Sequence, residues 1–96
     1  MLYFVTLTYR RPLDEVNLHL ATHKAWLARH LQEGRIVFAG PLEEGTGGVI
    51  LARCDSRDEL DRMLAADSFV TQAVVDSRVQ AFKAALKLPE WPAQWA

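Results

Sequence analysis
The rhythm of hydrophobic and polar positions changes several times along this chain, and each change predicts an element. Leu2 to Tyr9 is dense in aromatic and β-branched residues, the composition of a strand. Arg10-Arg11-Pro12 breaks it. From Leu13 to Glu33 the rhythm turns helical: Leu13, Val16, Leu20, Leu27 and Leu31 fall in one arc when successive residues are set about 100° apart. Pro12 suits the first turn of that helix, Asp14 and Glu15 suit its positive end, and Gly34 suits the position just past its C-terminus. Arg35 to Ala39 predicts a second strand stopped by Gly40-Pro41. The glycine-rich stretch Glu43–Gly48 predicts a turn, and Gly48 to Cys54 the strand that completes a hairpin. Ser56 and Glu59 have capping-box spacing ahead of a helix whose apolar face is Leu60, Met63 and Leu64. Asp67 closes that helix and can cap a short turn from Ser68 to Val74, and Asp76 to Phe82 predicts the last strand. The end, LPEWPAQWA, has no periodicity, so residues 1–96 form a single domain with an irregular tail over 87–96.

The order β-α-β-β-α-β implies an α+β fold of the ferredoxin-like kind: a four-stranded antiparallel sheet with both helices on one face. A sheet whose other face met water would alternate apolar and polar residues. Here Leu2 and Phe4 oppose Tyr3, Val5, Leu7 and Tyr9. Val49 and Leu51 oppose Ile50, Ala52 and Cys54, and Val37 and Ala39 oppose Ile36 and Phe38. Both faces are apolar, so the open face predicts a cover, most simply a second copy of the chain, with the Trp91/Trp95 tail helping to close the homodimer.

The formal charge of −1 is spread without a basic face, which argues against nucleic acid as a partner. The N-terminal apolar run is too short for a membrane span and follows no basic segment. The lone Cys54 cannot form an internal disulfide, fits a reducing cytoplasmic setting, and at a strand end reads as a small buried hydrophobe rather than a nucleophile. Arg10, Arg11 and Arg35 could meet an anionic substrate, although arginines at strand ends are commonly solvated.

The candidate chemistry lies in the long helix. His19, His23 and His30 fall within about 40° of one another on the wheel. His19 and His23 have the i,i+4 spacing of a zinc pair, but nothing in the sequence completes a metal site, and His19 and His30 read as solvated surface. His23 borders the apolar arc between Leu20 and Leu27. In this fold the loop after the second helix approaches the middle of the first, which brings Asp67 toward His23. A carboxylate accepting from one ring N–H at about 2.6–3.2 Å fixes the tautomer and leaves the other nitrogen as a base, and Asp67 can use its second oxygen to cap the Ser68 turn.

These residues resemble the YciI-like (YCII-related domain) family. The likeness rests on the opening MLYFV, on His23 followed by Ala28-Arg29 and Glu33-Gly34-Arg35, on Ala39-Gly40-Pro41, and on Ala66-Asp67-Ser68-Phe69-Val70. The resemblance implies a dimeric α+β barrel related to muconolactone isomerases. It places His23 and Asp67 on the family's His–Asp pair, with Gly40, Pro41, Ser68 and Phe69 beside the pocket. Family members commonly carry Pro where this chain has Ser68, which predicts a looser turn under Asp67. One branch of the family removes HCl from a chlorinated aromatic ring. Two functions follow as expectations. One is a cofactor-free, metal-free lyase or isomerase acting on a small metabolite, aromatic rings included, with His23 and Asp67 as its dyad. The alternative is a non-catalytic homodimer that binds a small ligand or keeps the pair as a structural hydrogen bond. A haem-binding relative with His23 as axial ligand has no second cue.

Overall fold
The computed structural model describes residues 1–92. Four strands, β1 (Leu2–Tyr9), β2 (Ile36–Pro41), β3 (Gly47–Arg53) and β4 (Val75–Phe82), form one antiparallel sheet in the order β2-β3-β1-β4. Four helical segments accompany them: α1 (Leu13–Asn17), α2 (Leu20–Gln32), α3 (Arg57–Ala65) and α4 (Ser68–Thr71). The predicted ferredoxin-like order is therefore present. Tyr3, Val5, Leu7, Ile50, Ala52 and Cys54 point from the sheet into a core closed by Val16, Trp26, Leu60, Met63 and Phe69. Among the described residues no helix is long and apolar enough to cross a membrane.

The expected helix ends are realised. Ser56 accepts a hydrogen bond from the Glu59 N–H at 3.1 Å. At the end of α2, Gly34 has φ +80°, its N–H bonds to Leu31 O, and the Arg35 N–H reaches back to His30 O. That is the two-bond Schellman closure. A glycine adopts this left-handed backbone without steric cost.

Two features depart from the sequence-based expectation. The long helix is broken: at Leu18 and His19 the N–H groups bond three residues back, to Glu15 O and Val16 O. The break rephases everything downstream. Leu31, expected on the apolar arc, is 45% exposed and Leu13 is exposed too, while α2 buries His23, Trp26 and His30. The second departure is in β2. Ile36 pairs with Ala52 but Phe38 with Leu51, so Val37 is an extra residue opposite no partner, a β-bulge. Ile36 and Ala39 consequently share the helix-facing side, and Phe38 turns to the open face, where it is 49% exposed. Val37 and Ala39 are thus not the same-face pair that simple alternation predicts. Strand β2 also runs through Gly40-Pro41 rather than stopping before them, as an edge strand permits.

The open face carries Phe4, Phe38, Val49 and Phe82. Leu2 and Leu51 of that face are already buried within the protomer. Residues 83–92 form no helix or strand. Trp91 is half-buried, and Trp95 lies outside the described residues.

Ala73 follows α4 at φ 54°, with its N–H on Val70 O and the Val74 N–H on Phe69 O: a second Schellman closure, built without glycine. The left-handed region costs an L-residue about 1 kcal/mol. Ala73→Gly is therefore expected to raise unfolding free energy by about 1 kcal/mol in urea titrations.

Candidate active site
His23 meets Asp67 at the contact between α2 and α4. His23 Nδ1 lies 2.7 Å from Asp67 Oδ1. An ionised carboxylate only accepts, so the shared proton belongs to Nδ1. Among the described residues His23 Nε2 has no hydrogen-bond partner, and it is not sealed from solvent. The ring is 8% exposed, and Asp67 is fully buried.

Asp67 is held by its backbone as well. It is the N-cap of α4: Oδ1 accepts from the Phe69 N–H at 3.2 Å, and its carbonyl accepts from the Val70 and Thr71 N–H groups. Orienting His23 and capping the turn were expected to use the two carboxylate oxygens separately. Instead both bonds converge on Oδ1, and Oδ2 is buried with no donor among the described residues. Among the described residues the carboxylate's hydrogen bonds therefore all fall on the oxygen facing His23, one from the ring and one from the Phe69 amide.

Aromatic contacts lock the imidazole. Phe69 lies flat on it, with centroids 3.8 Å apart and planes at 4°, and Trp26 lies beside it at 5.9 Å. Trp26 is fixed in turn by its Nε1–H bond to Met63 O at 3.0 Å. Tyr9 meets Phe69 edge-on.

His23 opens into a cleft of about 260 Å³ between α2 and the β2–β3 hairpin. Leu7, Tyr9, Leu20, Leu27, Ile50 and Phe69 supply most of its apolar wall. Of the four residues expected beside the site, Gly40, Pro41 and Phe69 line this cleft and Ser68 does not. Ser68 sits behind the dyad. Its hydroxyl donates to His19 O at 3.1 Å and lies 2.7 Å from Thr22 Oγ1, which also bonds His19 O. These bonds tie α4 to the break between α1 and α2, so the turn is fastened by hydrogen bonds where proline would stiffen it covalently.

Lys24 also lines the cleft, although the sequence pointed to arginines for a cation. It lies four residues after Leu20 and three before Leu27, a spacing that shares their face. Arg10, Arg11 and Arg35 instead stand against Asp76, Glu15, and the pair Glu33 and Glu59. Gly47 and Gly48 also line the cleft. At Gly47 (φ +155°) a Cβ would fall 1.8 Å from Leu7 O, so this position admits no side chain.

Among the described residues no three His, Cys, Asp or Glu side chains gather as a metal site. Cys54 is buried, and desolvation, reinforced by Glu59, pushes its thiol up to about 11, far from a reactive thiolate. His30 is not solvated surface: it is 6% exposed, edge-on to Trp26 at 5.2 Å, and its Nδ1 has no partner among the described residues. The rephasing after the helix break accounts for its burial.

The family model of the YCII-related domain matches residues 1–83. The chain belongs to the YCII-related domain family. No curated protein matches its sequence. Among solved structures, it is similar to 5-chloro-2-hydroxyhydroquinone dehydrochlorinase (TftG) from Burkholderia phenoliruptrix AC1100, in complex with 2,5-dihydroxybenzoquinone. The TM-score is 0.74 at 21% identity, covering 86% of this chain and 94% of that one. It is also similar to muconolactone isomerase (TM-score 0.69, 18% identity, 94% and 93% covered). A third likeness is to a point mutant of SnoaB, a cofactor-independent oxygenase from Streptomyces nogalater (TM-score 0.53, 24% identity, 93% and 96% covered). At these identities the likeness establishes the α+β fold, a four-stranded antiparallel sheet with its helices, and the fold alone.

The turn beneath the dyad and the buried His30 each carry a testable consequence. Ser68 occupies the first position of α4 and Asp67 has the extended backbone (φ −77°, ψ 130°) that precedes proline, so Ser68→Pro fits. It loses hydrogen bonds worth about 0.5–1.5 kcal/mol each but stiffens the unfolded chain by about 0.4–1 kcal/mol. Ser68→Ala loses the bonds alone, so urea unfolding is expected to rank Ser68→Pro above Ser68→Ala. For His30 the consequence concerns pH. Burial lowers its pKa from the ordinary 6.5, with Arg35 and Arg29 adding to the effect and Glu33 opposing it. The unfolded chain takes up a proton near pH 6.5 that the folded chain refuses, so this contribution to stability is intact above that pH and declines as pH falls toward the folded value. His30→Leu is expected to remove that decline: its stability relative to wild type should improve between about pH 7.5 and about pH 5 in parallel denaturant titrations.

Proposed function
We propose that this protein is a cofactor-free lyase or isomerase of a small metabolite, with His23 as general acid and base oriented by Asp67. The observation that carries the reading is the 2.7 Å bond from His23 Nδ1 to a buried carboxylate, combined with an accessible Nε2 at an apolar cleft. Asp67 sets the tautomer, so Nε2 presents its lone pair. A C–H or O–H proton of the substrate passes to Nε2, and the imidazolium is stabilised by the carboxylate behind it. The proton then returns to another atom of the same molecule in an isomerisation, or, in a lyase reaction, the electron pair it left forms a double bond and expels a leaving group as its anion, the proton passing from Nε2 to that group or to water. Gly40, Pro41 and Phe69 bound the cleft that would hold the reacting group, and Ser68 supports it from behind. Structural neighbours named as an isomerase, a dehydrochlorinase and a cofactor-independent oxygenase support a small-molecule site on this fold.

The non-catalytic alternative draws on the complete burial of Asp67, which suits a structural hydrogen bond. Stability loss in Asp67→Asn does not separate the readings, because a buried pair loses stability under both. The accessible Nε2 favours the enzyme. The homodimer belongs to the same proposal. Phe38, Phe82, Phe4 and Val49 present an apolar open face that a second protomer would cover, and the lone buried Cys54 suits a reducing, cytoplasmic setting.

The test is turnover across a panel of small hydroxyquinones and unsaturated lactones. His23→Ala is expected to lower kcat by about 10²–10⁴-fold while keeping the wild-type circular dichroism spectrum. Turnover unchanged in His23→Ala would rule out the role.

A further inference from the structure
The cleft carries a charge pattern that the His–Asp pair alone does not explain. Among the described residues no carboxylate lines it, and Lys24 is the only permanently charged side chain there. Elsewhere on the surface Arg10, Arg11, Arg29, Arg35 and Arg57 each face an acid within 4 Å. Lys24 makes no ion pair among the described residues, and it lies exposed at the cleft, next in sequence to the histidine. An ammonium can lay its methylene stem along Leu20 and Leu27 and hold its head in the mouth.

The floor is shaped as well as charged. Gly48 pairs with Leu7 on one side and Pro41 on the other, on the helix-facing side of the sheet. Its missing side chain leaves a flat strip of backbone under the cleft. A Cβ there would come within 3.0 Å of Gly40 O, so even alanine is tight. The volume of about 260 Å³ falls below the range of about 300–1,000 Å³ for pockets that enclose drug-sized ligands. Such a space suits one planar ring between the strip and the Leu20–Leu27 wall.

We propose that Lys24 is the specificity-determining residue of this cleft and that the ligand is a planar, single-ring organic anion. Its anionic oxygen, a carboxylate or an acidic enol, rests on the ammonium, and its ring lies over Gly48 beside His23. The proposal rests on the acid–base reading of His23 and adds the substrate's charge and size. It also gives Lys24 a second use: oxygen charge that develops when His23 takes a carbon-bound proton forms near a fixed cation.

Benzoate and benzamide share a ring and differ by one charge, so they separate charge from shape. Each is titrated into wild type, Lys24→Met and Lys24→Arg, following the NMR signals of the His23 ring and the Phe69 amide. Benzoate is expected to bind wild type about tenfold more tightly than benzamide, a charge-assisted contact's worth. Lys24→Met should erase that preference, Lys24→Arg should retain it, and added salt should weaken benzoate alone. Equal binding of both probes to wild type, or benzoate binding unchanged in Lys24→Met, overturns the role of Lys24 while leaving the His23 cleft as a ligand site. No shift at His23 or Phe69 with either probe at millimolar concentration overturns both this proposal and the cleft's place in the acid–base reading.

Discussion

The carboxylate of Asp67 imposes the strictest condition on this fold. It is fully buried, and an unpaired charge in that position would cost several kcal/mol. Its neutralisers are few: the His23 N–H, the Phe69 amide, and no donor at Oδ2 among the described residues. Helix α2 must therefore hold His23 against α4, and α4 must keep the cap that presents the carboxylate. The Ser68–Thr22–His19 bonds, the Phe69 stack and the Trp26 anchor all serve that one approach. The same interaction fastens two segments and fixes the direction of a ring, so structure and the proposed chemistry share a single hydrogen bond.

The sheet supplies the opposite wall. Strand β1 lies second from one edge, between β3 and β4, and sends Leu7 and Tyr9 toward α2. The hairpin of β2 and β3 contributes residues with little or no side chain: Ala39, Gly40, Gly47 and Gly48. A bulky helix face set against a bare strip of strand leaves a gap. The imidazole and the ammonium that line it, of His23 and Lys24, both come from α2.

Much of this was legible in the residues themselves. Strand composition, the capping pair Ser56 and Glu59, and Gly34 marked the elements and their order. The topology then brought Asp67 toward His23. The illegible parts are those decided by competition between local and tertiary bonds. Nothing in the apolar spacing of Leu13–Leu31 marks the break at Leu18–His19, because one of the two side chains that draw on the His19 carbonyl, Ser68, lies 49 residues away from it. Burial of His30 followed from that break and was hidden with it. Ser68 read as a weaker substitute for proline since its partners belong to another helix. Lys24 was overlooked because a lysine beside a helix's apolar face ordinarily serves as solvated edge, and only the opposing bare strand makes it a lining residue.

Val37 shows how much of the interior hangs on pairing register rather than on side-chain identity. One surplus residue shifts the phase of everything after it in β2, so Phe38 goes outward and Ala39 inward. Had the same residues alternated strictly from Ile36, with Val37 opposite Leu51 and no bulge, each following side chain would exchange sides. A benzyl group would then occupy the space now left by a methyl, and the hollow beside His23 would be filled from the strand. Deleting Val37 would by contrast leave Phe38 outward and Ala39 inward, since the two would then alternate directly from Ile36. The bulge in β2 is in this sense as much a part of the cleft as any residue that touches it.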